Sequence, residues 1–110
     1  MAKLLVADDE RSMRELLELV FKREGHQVTA VSNGREALDA MQKVSFDLLI
    51  TDVKMPDVGG IELLRAAREQ APEMMVIMMT AFRPSRMRAP PSNLGRTISF
   101  KNRLMWMSSS

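Results

Sequence analysis

Three apolar runs in this chain each end in an oxygen-bearing side chain, and that pattern restricts the fold more than any other feature. Leu4-Leu5-Val6-Ala7 stops at Asp8-Asp9, Phe46-Asp47-Leu48-Leu49-Ile50-Thr51 stops at Asp52, and the run Met74 to Met79 stops at Thr80. Short, nearly continuous apolar runs are what strands become when helices cover both faces of a parallel sheet. In open sheets of that kind, ligands bind at the carboxyl ends of the strands. Three carboxylates and a hydroxyl gathered there make a hard-oxygen site suited to Mg²⁺ and a phosphoryl group.

The segments between the runs supply the helices. Met13, Leu16, Leu17, Val20 and Phe21 recur at helical spacing and predict a helix from about Arg11 to Glu24, closed by Gly25. Gln27 to Val31 alternates weakly, as a second strand. Ser32-Asn33-Gly34 forms the turn and cap before a second helix that faces the core with Ala37, Leu38 and Met41. A loop over Pro56-Asp57-Val58-Gly59-Gly60 leads to a third helix, Ile61 to Gln70, with Ile61, Leu64 and Ala67 on one stripe and Pro72 beyond its end. Strands alternating with helices through short loops give an α/β fold with right-handed crossovers.

Composition removes several classes of function. The chain of 110 residues has no cysteine and one histidine, His26, so neither a disulfide nor a zinc site is expected. No apolar run approaches the ~20 residues needed to span a bilayer, and the start lacks a signal-peptide core; a cytoplasmic protein with no membrane partner is expected. The net charge of +2 conceals a break. Residues 1–82 hold ten Lys/Arg and fourteen Asp/Glu, whereas residues 83–110 hold six Lys/Arg and no acid. The division falls into a body, 1–82, and an atypical basic tail, 83–110.

Each motif also has a plainer explanation. Adjacent acids at a strand end repel unless solvated or bound to a cation, but they also favour the N-terminus of a following helix. Thr80 could simply end a strand. Lys54-Met55-Pro56-Asp57-Val58-Gly59-Gly60 has more turn-forming residues than a strand-to-helix turn needs, and its glycines allow close backbone approach beside Asp52. Taken together, the acids, the third strand and Thr80 favour the metal reading.

Val6-Ala7-Asp8-Asp9-Glu10, Asp47-Leu48-Leu49-Ile50-Thr51-Asp52-Val53-Lys54-Met55-Pro56, Gly59-Gly60-Ile61-Glu62-Leu63-Leu64 and Met79-Thr80-Ala81 together resemble the receiver domain of bacterial two-component response regulators, in the style of sigma-54-activator regulators. Order and spacing agree over residues 1–82. The resemblance implies a flavodoxin-like, doubly wound parallel sheet and a phosphorylation switch. Asp52 would take a phosphoryl group from a phosphohistidine of a sensor histidine kinase. Asp9, Asp52 and the backbone carbonyl of Lys54 would hold Mg²⁺, with Asp8 in the same cluster, commonly through water. Thr80 would bond the new phosphoryl oxygen and move. Positioning and charge neutralisation dominate such chemistry.

The tail departs from that family. The resemblance implies a fourth helix, a fifth strand ending in a phosphate-clamping Lys-Pro pair and carrying an aromatic switch residue, and a fifth helix. The family's interval from Thr80 lands on Asn102, beside Lys101, and no Lys-Pro follows. With permitted codons, residues 83–110 read from the third base of codon 83 can give AVENAGAAIQLGADDFIQKPFNVDELI, which is similar to the missing segment. A frameshifted tail is therefore one expectation. Others are a linker toward an effector domain, or Ile98-Ser99-Phe100 substituting for the last strand, with a short apolar patch from Leu104 to Met107. If nothing covers it, the fourth strand leaves an apolar edge open to a homodimer or to aggregation. A nucleic-acid arm is disfavoured, because the tail has no amphipathic helix and a single Trp.

Two functional readings follow. The first is a phosphoacceptor receiver working at Asp52 with Mg²⁺. The second is a phosphorylation-incompetent interaction module, or a truncated receiver without function. Enzymatic turnover is not expected: many Mg²⁺-dependent phosphatases with an aspartate nucleophile carry an acid two residues on, where this chain has Lys54.

Overall fold

The computed structural model describes residues 1–81, 97–100 and 103–108, with residues 80, 81 and the two later segments described by backbone alone. The elements are β1 (Lys3–Ala7), α1 (Arg11–Arg23), β2 (Gln27–Val31), α2 (Gly34–Lys43), β3 (Leu48–Asp52), α3 (Gly60–Gln70), β4 (Met75–Ala81), β5 (Thr97–Phe100) and β6 (Arg103–Ser108). They form one sheet in the order β2-β1-β3-β4-β6-β5. β1 to β4 are parallel; β6 runs antiparallel to β4, and β5 antiparallel to β6.

Neighbouring apolar residues in the central strands serve opposite faces, as a period of two requires. Leu5, Leu49 and Met78 join Leu63, Ala67 and Ala37 in the larger core, on the side of α2 and α3. Val6, Ile50 and Met79 join Met13 and Leu17 of α1 in the smaller one. Burying one such Leu or Ile contributes about 1.5–3 kcal/mol. The helical stripes follow expectation with two exceptions. Val20 is 36% exposed, and Leu63, absent from the expected stripe, is fully buried beside Leu64.

The third strand starts at Leu48 rather than Phe46 because Asp47 turns its polar groups to its neighbours. Its N–H donates to the Lys3 carbonyl at 2.8 Å, its Oδ2 accepts the Lys3 N–H at 2.9 Å, and its carbonyl accepts the Met75 N–H at 3.1 Å. Asp47 thus ties together the lower ends of β1, β3 and β4, while Phe46 is buried as a plug beneath them.

A local cap fixes the start of α2. The Asn33 Oδ1 accepts the Glu36 N–H at 2.9 Å, and Glu36 Oε1 accepts the Ser32 N–H and hydroxyl, each at 3.0 Å. The Ser32 backbone and then its hydroxyl hold the Glu36 carboxyl below its usual value. A depressed carboxyl stabilises the fold above its unfolded-state titration and loses that contribution as pH falls through the folded one. Glu36→Gln keeps an acceptor but no charge. The gap in melting temperature between wild type and this variant is expected to be largest near neutrality and to close through the acidic carboxylate range, measured by thermal unfolding at stepped pH.

The C-terminal segments correct the expectation for the fifth strand. The segment around Ile98 to Phe100 is a strand, but it pairs with β6 and not with β4. β6, which takes in the expected patch from Leu104 to Met107, is what covers β4. β4 is therefore not a sheet edge; β2 and β5 are. The loops expected around Arg83 to Ser85 and Ala89 to Asn93, the Lys101-Asn102 pair and the last two residues lie outside the described residues. No helix among the described residues is long and apolar enough to cross a membrane.

Candidate functional site

Parallel pairing brings the acids together. Ala7 is in register with Thr51, and Asp52 with Met79, so Asp8, just past β1, Asp52, the last residue of β3, and Thr80, the penultimate residue of β4, lie at the same edge. Asp8, Asp9 and Asp52 each offer a carboxylate oxygen, and these oxygens lie within 4.8 Å of one another. Asp8 is fully buried, Asp52 is 8% exposed, and Asp9 faces solvent. Asp8 Oδ1 accepts the Glu10 N–H at 2.9 Å, and Asp52 Oδ1 accepts the Lys54 N–H at 3.3 Å. The backbone beside Asp52 is pinned as well: the Val53 N–H donates to the Met79 carbonyl at 2.7 Å, and the Gly60 N–H to the Val53 carbonyl at 2.9 Å.

The loop from Lys54 to Gly59 forms one wall. An open groove of about 440 Å³ runs along it between Asp9, Lys54, Pro56 and Glu62. The turn was expected to depend on Pro56 and two glycines, but the left-handed residue is Asp57, at φ 70°, while Gly59 has an ordinary φ of −87°. An aspartate tolerates that conformation better than most residues, and Asp57 is held by Arg35 of α2 at 3.1 Å. The close approach expected of the glycines is made by Gly60, where an added Cβ would lie 2.3 Å from the Asp52 carbonyl oxygen.

Sequence reasoning missed Arg14. Its Nη1 donates to the Asp8 carbonyl at 2.8 Å, placing a cation behind the acid cluster. The available signal was an arginine one turn into α1, where the helix dipole favours acids and the first turn has none. The Thr80 backbone sits at the expected edge, in register with Leu104 of β6; its hydroxyl lies outside what the structure describes.

Such a trio of strand-end carboxylates at the carboxyl edge of a parallel α/β sheet defines a class of cation- and phosphoryl-handling domains. Comparison with known proteins narrows it. The response regulator receiver domain model matches residues 4–95, and the chain belongs to that family. It is 38% identical over 82 residues to the response regulator receiver protein CpdR of Brucella abortus, covering 74% of this chain and 68% of that protein. It is 40% identical over 80 residues to sporulation initiation phosphotransferase F of Bacillus subtilis, covering 73% and 64%. The crystal structure of the response regulator TrrA from Thermotoga maritima, a complex with Mg²⁺-BeF, superposes with a TM-score of 0.70 at 35% identity, covering 78% of this chain and 75% of that one. The chain spans about two thirds of the length of these curated relatives. The parallel sheet and flavodoxin-like fold expected for the body are those of the family.

Proposed function

We propose that this receiver domain accepts a phosphoryl group on Asp52 from a sensor histidine kinase and changes conformation on doing so. The observation that carries the proposal is the clustering of the Asp8, Asp9 and Asp52 oxygens within 4.8 Å around a nearly buried Asp52. An Asp52 carboxylate oxygen forms a bond to phosphorus as the donor's phosphorus–nitrogen bond breaks. The electron pair of that bond returns to the imidazole, and the product is an acyl phosphate.

All-oxygen donors of this charge suit Mg²⁺ better than softer metals. Asp9, Asp52 and the Lys54 carbonyl would hold it, with Asp8 behind them. When bound, the ion neutralises charge on the transferring phosphoryl oxygens. That the similar receiver TrrA is a complex with Mg²⁺-BeF supports Mg²⁺ as the ion. The Lys54 N–H orients Asp52, and Thr80, one residue beyond the Asp52 register partner, would receive a phosphoryl oxygen.

The test is intact mass after incubation with acetyl phosphate, with and without Mg²⁺. Gain of one phosphoryl group that requires both Mg²⁺ and Asp52 is expected. No gain in folded protein would leave the interaction-module reading.

A further inference from the structure

We infer that residues 83–110 are a displaced-frame reading of a segment that, in frame, completes this sheet with a fifth parallel strand and carries a lysine to the acid edge. The inference concerns the tail and deepens the phosphoacceptor reading, on which its functional half rests.

The charge break is the first support. A codon for aspartate or glutamate is GA plus one base. Read one place later it becomes A, that base, and the next: threonine, isoleucine or methionine, asparagine or lysine, serine or arginine. An acid can appear in the displaced reading only from a codon ending in GA, which means arginine, glycine or stop. A displaced acidic segment therefore loses its acids and gains those types. The tail is acid-free.

Several positions leave almost no freedom. Methionine and tryptophan have one codon each, so Met105-Trp106-Met107 forces Val-Asp in the other frame. Lys101 forces glutamine if the frame is open, and Asn102 forces lysine or glutamate. Phe100 forces an apolar residue, and Thr97-Ile98 force two residues drawn from Asp, Asn, His and Tyr. All 27 displaced codons permit AVENAGAAIQLGADDFIQKPFNVDELI. Its five acids stand at Arg86, Thr97, Ile98, Met107 and Ser108, which are types that GA codons become.

That peptide resumes the physics of the body. A helical segment ends in Gly, the short run Phe-Ile-Gln-Lys stops at Pro, and Asn-Val-Asp-Glu opens another helix with a cap and first-turn acids. A helix after β4 followed by a strand makes a right-handed crossover to a parallel neighbour. That neighbour would take the side of β4 now held by antiparallel β6. Its carboxyl end would then lie at the Asp52 edge and bring the lysine there. One base restored in codon 83 places the lysine at position 102, the expected interval from Thr80. The curated relatives agree in extent, matching over 80 and 82 residues and leaving about a third of their own length unmatched.

Two measurements test this. The native coding DNA is expected to read open through the displaced frame, with lysine at position 102; a stop, or glutamate at that position, overturns the inference. The chain with one base restored is then compared with the chain as read, by thermal unfolding and by phosphoryl uptake from acetyl phosphate. A higher melting temperature and about tenfold or more faster uptake are expected, since one added cation at a developing charge is worth at least that. Equal melting and equal uptake overturn the completed-sheet half. Agreement of the DNA with no uptake by the folded, restored chain would sink the phosphoacceptor reading and leave the frame inference standing.

Discussion

Asp52→Asn is expected to abolish phosphoryl uptake and, in the absence of divalent cations, to raise the melting temperature. Three carboxylate oxygens within 4.8 Å repel, and two of the three side chains are largely withdrawn from water. At an effective dielectric near 20, a pair of like charges some 4 Å apart costs about 4 kcal/mol. Arg14 offsets part of that through its contact with the Asp8 carbonyl. Asparagine has the same shape and keeps an oxygen to accept the Lys54 N–H, so the substitution removes charge with little change in packing. A net gain of roughly 1–2 kcal/mol raises the midpoint by several degrees in a domain of this size. Mg²⁺ should then change the ranking. A cation at a hundred times its dissociation constant stabilises the wild type by about 2.7 kcal/mol, and it stabilises the variant less because a charged ligand is gone. Thermal unfolding with and without Mg²⁺ reads both effects. A variant that melts below the wild type in metal-free buffer would show that repulsion is not stored in this trio.

What could be read from the sequence was whatever depends on local pattern. Apolar runs ending in Asp8 and Asp52 specified the parallel strands and the edge where the acids meet, because register follows from strand order and alternation. The Asn33 cap and the Gly25 stop were likewise local. What could not be read depends on where side chains go after packing. Asp47 spends its polar groups across three strands, which no spacing reveals. Leu63 is buried beside Leu64 because α3 gives the core cluster Ile61, Leu63, Leu64 and Ala67, a broader stripe than one narrow row. Arg14 reaches the acid cluster only once α1 has docked. The turn was assigned to its glycines by composition, yet the left-handed position went to Asp57, which an ion pair to Arg35 holds in place. The antiparallel pairing of β6 was illegible for another reason: the tail carries no helical or strand period that would announce it.

Adjacent glycines at the head of α3 should behave differently, and the contrast tests how Asp52, the proposed phosphoacceptor, is positioned. A Cβ on Gly60 would lie 2.3 Å from the Asp52 carbonyl oxygen and 3.0 Å from the Val53 Cα, both backbone atoms that cannot turn aside. On Gly59 the nearest atom would be the Val53 carbonyl oxygen at 3.1 Å, and its φ of −87° suits any residue. Gly60→Ala must therefore push the head of α3 away from the end of β3. The expected cost is about 1–3 kcal/mol or more, and the Gly60 N–H to Val53 carbonyl bond lengthens or breaks. Because Asp52 is the residue displaced, reactivity falls with stability: a shift of about 1 Å at a reacting group can cost on the order of 10²-fold in rate. Gly59→Ala is expected to cost under about 1 kcal/mol, since the neighbour has to give by only a few tenths of an ångström, and helix entry gains from the lost flexibility of the unfolded chain. Denaturant unfolding and the initial rate of uptake from acetyl phosphate, measured on both variants below their unfolding transitions, separate the two effects. Equal losses in both would mean that the loop moves as a unit and that Gly60 has no special hold on Asp52. Loss confined to Gly60→Ala, in rate as well as stability, would make the head of α3 the support against which Asp52 is set.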